Sequence, residues 1–306
     1  MKRLLLFILL VLMLLPGYGQ SLYIKTFGNK NNPPVIFIHG GPRGNSLLFE
    51  ATTAAQLANR GFYVIVYDRR GEGRSTCQNA TLTFQEAFND LNHLYKKFGL
   101  QRAHIIGFSF GGIVSTLFAE QYPHRIASLT LTSGLFAQQA TYDHILDSVK
   151  KIYTAGHDTT HLKEVAIVAQ LPKNGAAYRK ACYALASENG FFKVAQPTEE
   201  AQKIYAANDA LHLKDVRNDD APLLFYKNEK RTNIDTKPIL AKLTQQQMRI
   251  YAIYGKQDVI FPMAQIDSLR QIVGNDHFQF LDQASHYLFA DRQTAFLNSL
   301  EHWLKQ

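Results

Sequence analysis

From residue 35 to residue 132 the chain alternates two kinds of hydrophobic pattern. Short runs are apolar throughout, and longer stretches carry apolar residues every three or four positions. Val35 to Ile38 is the first run, opened by Pro33-Pro34 and closed by Gly40-Gly41. SLLFEATTAAQLANRG then has helical spacing and ends at Gly61. FYVIVYDRRG holds a second run followed by a glycine-rich turn. TFQEAFNDLNHLYKKFG is helical, with Thr83 and Glu86 placed as a capping box and Gly99 at the far end. AHIIG, with its run from Ala103 to Ile106, precedes a helical GIVSTLFAEQYP that Pro123 stops, and RIASLTLTSG gives the fourth run. Runs apolar on both faces predict strands covered on both sides, as in a parallel sheet. Four strand–helix alternations predict an α/β architecture: a doubly wound, mostly parallel sheet with helices on both faces.

The rhythm breaks after Phe136. To Gln247 the pattern offers helical pieces (TYDHILDSVKKIYTAG, HLKEVAIVAQLP, NGAAYRKACYALASENG, PTEEAQKIYAAND, APLLFYKNEK) and no convincing buried strand. Strand patterns return in MRIYAIYGKQD and HFQFLDQ, and TAFLNSLEHWLKQ closes with a helix. The expected organisation is a sheet domain in two parts, residues 20–136 and 248–306, interrupted by an all-helical insertion at 137–247.

The first residues differ in kind. Lys2 and Arg3 precede an unbroken apolar run from Leu4 to Leu15, which Pro16 and Gly17-Tyr18-Gly19 follow. This is the pattern of a secretory signal peptide over residues 1–19, cut between Gly19 and Gln20. The run is shorter than the roughly 20 apolar residues of a membrane-spanning helix. The expectation is export to the periplasm or medium, without stable membrane insertion after cleavage. Intact mass of the exported protein, starting at Gln20, checks this.

Composition narrows the function classes. The net charge of +8 is dispersed, without a basic run, an aromatic–basic motif or zinc-finger spacing, which argues against a nucleic-acid partner. Cys77 and Cys182 are the only cysteines. In an oxidising compartment they either pair, tying the insertion to the sheet domain, or stand as separate buried thiols. His157 and His161 are four apart, but the surrounding Gly156 and Thr159-Thr160 suit a loop or helix start better than a metal site. No metal or cofactor is called for.

The chemistry centres on IIGFSFGG, residues 105–112. Ser109 stands between a strand and a helix, with Gly107 two residues before and Gly111 two after. In such a turn the serine takes a strained conformation that lifts its hydroxyl clear of the sheet, and glycines relieve the crowding around it. A serine hydroxyl needs a base, and the base a carboxylate to hold its tautomer. On a parallel sheet these follow in the order serine, acid, histidine. Asp258 lies just beyond the YAIYG strand and His286 in the loop after the next one. They are the expected orienting acid and general base, with Asp282 as the competing acid. A tetrahedral intermediate also needs backbone donors. The amide of Phe110 and that of Gly41, in the HGGP loop, are the candidates, while His39 braces that loop. Arg69, Arg70 and Arg74 either bind an anionic substrate or belong to a solvated or salt-bridged turn.

These motifs resemble the α/β-hydrolase family over nearly the whole chain after residue 19: His39-Gly40-Gly41-Pro42, Asp68 to Ser75, Gly107 to Gly112, Gly255-x-x-Asp258 and Ser285-His286. HGGP and YDRRGEGRS are most similar to the prolyl aminopeptidase branch, with Arg43 where that branch carries glycine and Phe110 where it carries tryptophan. The resemblance implies a serine hydrolase acting through an acyl-enzyme on a small molecule or short peptide, with the helical insertion as a cap over the active site. Small-ester hydrolysis ranks first and removal of an amino-terminal residue second. A catalytically silent binding protein of the same fold is the remote alternative. For the second activity the cap offers Glu164, Glu188, Glu199 and Glu200 as anchors for a protonated amine.

Overall fold

A computed structural model describes residues 22–306. The expected signal peptide, residues 1–19, lies outside the described residues. Seven strands form one sheet: β1 (Ile24–Phe27), β2 (Pro34–Ile38), β3 (Tyr63–Tyr67), β4 (Ala103–Phe108), β5 (Ile126–Thr132), β6 (Ile250–Gly255) and β7 (Phe278–Leu281). Their order is β1-β3-β2-β4-β5-β6-β7. β1 runs antiparallel to β3 and every other pairing is parallel. The antiparallel edge strand was not expected. Its half-polar IKTF sequence gives no buried run for the pattern to register.

The apolar runs work as two-faced strands because alternate side chains point to opposite sides. Ile36, Ile38, Ile65, Tyr67 and Ile105 enter one core, and Val35, Phe37, Val64, Val66 and Ile106 enter the other. Helix α1 (Leu47–Phe49, a π-helical turn at Glu50–Ala54, then Ala55–Ala58) covers the second face. Helices α2 (Phe84–Phe98) and α3 (Phe110–Gln121) cover the first. The Thr83 hydroxyl caps α2 by accepting from the Glu86 amide. The Glu86 carboxylate in turn accepts from the Leu82 amide rather than from Thr83, one residue earlier than an ideal capping box. Gly99 ends the helix at φ 64°, the left-handed conformation that glycine adopts without strain.

Between β5 and β6 the chain forms α4 (Gln138–Ala155), α5 (Thr159–Ala169), α6 (Ala176–Glu188), α7 (Glu199–Ala210), α8 (Ala221–Asn228) and α9 (Lys237–Gln245). Helices α4, α5 and α6 pack on one another, and α8 on α6. Helix α9 packs instead on α3 and on α10 (Met263–Val273), within the layer that covers the sheet. After β7 come α11 (Leu288–Asp291) and α12 (Gln293–Leu304). Helix α7 packs on α11 and on the π-turn of α1, joining the inserted segment to both ends of the second core. Among the described residues no helix is long and apolar enough to cross a membrane.

No disulfide joins Cys77 to Cys182 in this structure, so the tether between insertion and sheet domain is not formed. Cys77 lies in the turn after β3, and Cys182 is fully buried in α6 beside Tyr178, where burial pushes its thiol up to about 11. The two His residues of the GHDTTH stretch also serve local structure. His157 turns the chain at φ 54°, and His161 stacks on Tyr153 and bonds the Asp158 carboxylate that caps α5.

Candidate active site

Ser109 occupies the junction of β4 and α3 at φ 51° and ψ −123°, a strained conformation for a residue with a Cβ. Its backbone is held on three sides: its carbonyl accepts from the amides of Gly112 at 2.8 Å and Leu135 at 2.7 Å, and its amide donates to Thr132. The flanking glycines have defined steric duties. A Cβ at Gly107 would stand 2.3 Å from the Ser115 hydroxyl, and one at Gly111 would stand 2.3 Å from the Ile38 carbonyl. Helix α3 therefore packs this closely onto β4 and the end of β2 behind the serine only because both positions lack a side chain.

Asp258 and His286 come from the ends of β6 and β7. His286 Nδ1 lies 2.9 Å from Asp258 Oδ2, both side chains almost wholly buried. With Nδ1–H donating a hydrogen bond to the carboxylate, Nε2 is the ring's free acceptor. Gly255 makes the pairing possible, since a Cβ there would meet the Ala284 carbonyl at 2.3 Å and the Ser285 carbonyl at 2.4 Å. The imidazole sits among Phe108, Phe192 and Phe261, with ring centroids at 5.0, 5.4 and 6.2 Å. Asp282 instead pairs with Lys256 at the surface. Ser109 and His286 line one cavity without a direct hydrogen bond between their side chains. Hydrogen bonds of catalytic groups commonly tighten only when substrate is present.

Gly41 and Phe110 line the same cavity beside Ser109. Among the described residues neither amide is spent on a hydrogen bond, and that of Phe110 opens the first turn of α3, where backbone donors have no intrahelical partner. The loop carrying Gly41 is fixed from below. His39 Nδ1 donates to the Gly40 carbonyl and Nε2 accepts from the Arg69 amide. Burial, aided by Arg69, pulls the His39 pKa down to about 4, so the ring is a neutral brace.

Arg69 and Glu72 form a buried ion pair under this loop, and sequence reasoning missed its importance. Arg69 Nη1 donates to the His39 carbonyl at 2.5 Å and Nη2 to the Gly40 carbonyl at 2.8 Å, while Nε bonds Glu72 at 2.8 Å. Glu72 accepts from the amides of Arg43 and Gly44. Of the two readings for the arginines of this turn, the structure supports salt bridging: Arg70 pairs with Asp90, and Arg74 with Asp68 and Glu50.

Asp68 is a second hidden support. Burial pushes its carboxyl up, but bonds from Arg74 and Ser46 outweigh burial and bring it down to about 2 from 3.8. Its folded pKa lies below its unfolded one, so its contribution to stability is present above about 3.8 and is lost as pH falls through about 2. That contribution is about 2 kcal/mol. Acid titration of unfolding should therefore show a loss over this window that Asp68→Asn flattens, with the variant already less stable at neutral pH.

The cavity has a volume of about 1270 Å³ and runs between the carboxyl ends of the strands and α4, α6 and α7. Asp291, also missed in the sequence, ties the His286 loop to this roof. Its carboxylate accepts from the Ser285 amide and hydroxyl and from the Tyr205 hydroxyl, while Ser285 Oγ also contacts the Phe192 carbonyl. At the mouth, Arg43 pairs with Asp219, and Asn45 bonds Asp215 and the Val216 carbonyl.

A strained serine at a strand–helix turn, facing an acid–histidine pair at the carboxyl edge of a parallel sheet, defines a class. The chain belongs to the α/β-hydrolase fold family, whose model matches residues 33–293. It is a hydrolase of that fold. It is 24% identical over 301 residues to a proline iminopeptidase of Lactiplantibacillus plantarum, covering 95% of this chain and 99% of that one. Among solved structures it is similar to a proline iminopeptidase-related protein from Thermus thermophilus, with TM-score 0.68, 22% identity and 93% of both chains covered. It is also similar to an esterase from Exiguobacterium antarcticum, with TM-score 0.62, 17% identity, and 93% of this chain and 96% of that one covered.

Proposed function

We propose that the protein hydrolyses a carboxylic ester through an acyl-enzyme on Ser109. The observation that carries this reading is the opening of the Ser109 turn and the His286–Asp258 pair onto one cavity. His286 Nε2 takes the hydroxyl proton as Ser109 Oγ attacks the ester carbonyl. The oxyanion accepts from the amides of Gly41 and Phe110. The protonated His286 then gives its proton to the leaving alcohol, and water, activated by the same imidazole, releases the acid and restores Ser109. Asp258 holds the ring's tautomer and stabilises its charged form.

Removal of an amino-terminal residue is the second reading, favoured by the iminopeptidase relative that matches along the whole chain. A protonated amine needs a carboxylate anchor in the cavity. Of the four expected glutamates only Glu188 lines it, at the exposed end of α6. Glu199 pairs with Lys203, Glu200 binds Thr294, and Glu164 is exposed outside the cavity. The apolar lining around Ser109 favours the ester, and the buried carboxylate of the cavity wall, Asp291, is already engaged by Ser285 and Tyr205.

The two readings separate in one comparison. A short-chain 4-nitrophenyl ester should be turned over with the higher kcat/KM, and a prolyl arylamide with a free amine poorly or not at all. If the arylamide is the better substrate, acylation of its amine abolishes cleavage and Glu188→Gln raises its KM, the second reading replaces the first. Turnover of neither class favours the silent binding protein.

A further inference from the structure

Arg179 is the unusual charge of the cavity. It lies in α6, lines the cavity wall and is only 3% exposed. Among the described residues no carboxylate lies within ion-pairing distance of its guanidinium. Its partners are neutral: Nη1 reaches the Gln138 carbonyl at a long 3.4 Å, and Nη2 donates to Gln139 Oε1 and Asn233 Oδ1. Its Nε is buried with no hydrogen-bond partner. The Tyr142 ring lies 4.4 Å away and offers a cation–π contact. Asp143 is next along the chain, but its carboxylate is committed to Tyr178, Lys173 and the Gln139 amide. Gln139 bridges the two side chains, donating to Asp143 and accepting from Arg179.

A buried guanidinium always carries its charge, and without a counter-ion it is costly. Arg179 belongs to the cavity wall, and an anion bound there would supply the counter-charge that the protein does not. The position relative to Ser109 is set by the chain. Leu135 donates to the Ser109 carbonyl, and Gln138, which contacts Arg179, follows three residues later, a span of at most about 10 Å.

We propose that Arg179 anchors a carboxylate carried by the substrate, so that the preferred esters are half-esters of dicarboxylic acids. The ester carbonyl sits at Ser109 and the free carboxylate beneath α6, with the methylenes between them along the apolar wall. The inference rests on the ester reading above. It also weighs against a protonated amine in this part of the cavity, which Arg179 would repel.

The test compares 4-nitrophenyl half-esters of glutaric and adipic acid with the chain-matched neutral pentanoate and hexanoate. Wild type should favour an anionic ester by about tenfold or more in kcat/KM, as expected for a hydrogen bond between charged groups. Arg179→Met should bring the anionic-to-neutral ratio to about one or below, and Arg179→Lys should keep part of the preference. A purely structural arginine would lower both activities together and leave the ratio unmoved. A wild-type ratio of one or less, or a ratio that survives Arg179→Met, overturns the inference while leaving ester hydrolysis intact. If Arg179→Met does not fold, the wild-type and Arg179→Lys ratios decide. If wild type turns over neither ester, the hydrolytic reading fails instead. Calorimetry with monomethyl glutarate then decides the anchor: binding to wild type that Arg179→Lys weakens supports it, and no binding to wild type rejects it.

Discussion

Ser109→Ala is expected to fold and to lose about 10⁴-fold or more in kcat. The hydroxyl is the only group in this reading that forms a bond to substrate, and no neighbour substitutes for it. His286→Ala should be comparably severe, because Ser109 then has no base. Asp258→Asn should cost about 10³- to 10⁴-fold, since an amide at this position favours the wrong imidazole tautomer. The residues act as a unit, so Ser109→Ala combined with His286→Ala should be little worse than either alone. Steady-state kinetics on the preferred ester, with melting temperatures to verify folding, checks the set. An Asp258→Asn protein with wild-type kcat would show that His286 is not oriented by Asp258.

Arg69→Met should have the largest effect on stability. It leaves Glu72 buried without its counter-charge and releases the carbonyls of His39 and Gly40. Breaking one side of a buried pair costs about 3–5 kcal/mol. The guanidinium also lies 5.5 Å from the Phe110 ring, so the variant disturbs both candidate oxyanion donors, and kcat should fall more than KM rises. Arg43→Met is the control. That arginine and its partner Asp219 are well exposed, and an ion pair of this kind is worth below about 1 kcal/mol. Urea denaturation of the two variants gives the comparison. Equal stabilities would remove the buried pair from its place as the foundation of the Gly41 loop.

The difference between these two arginines shows what a sequence carries and what it does not. Ser109 and Asp258 are legible because each follows an apolar run that ends at a glycine-marked turn, and His286 because it follows the next strand and the order of the three along the chain is chemically constrained. The helices of the insertion are legible from apolar spacing and from Gly and Pro punctuation. Arg69, Arg70, Arg74 and Arg43 look alike in sequence, and only packing separates a buried brace from an exposed pair. Gly255 hides its duty because the carbonyls it makes room for belong to Ala284 and Ser285. Asp291 is equally silent, since its partners Ser285 and Tyr205 come from a loop and a distant helix. Helix α9 escapes notice because Pro238 and a short amphipathic stretch resemble the pieces before it, and only its contacts with α3 and α10 place it in the sheet layer. Arg179 gives no signal at all, since one basic residue in an amphipathic helix is ordinarily solvated.

The central claim is that Ser109, activated by His286, is the nucleophile, and covalent labelling tests it most directly. Wild-type protein should take up one equivalent of a fluorophosphonate probe as ester hydrolysis falls to zero, with the adduct mapped to Ser109 by peptide mass. His286→Ala should label far more slowly. Failure to label while esters are still cleaved, or an adduct on another residue that abolishes activity, would contradict the account.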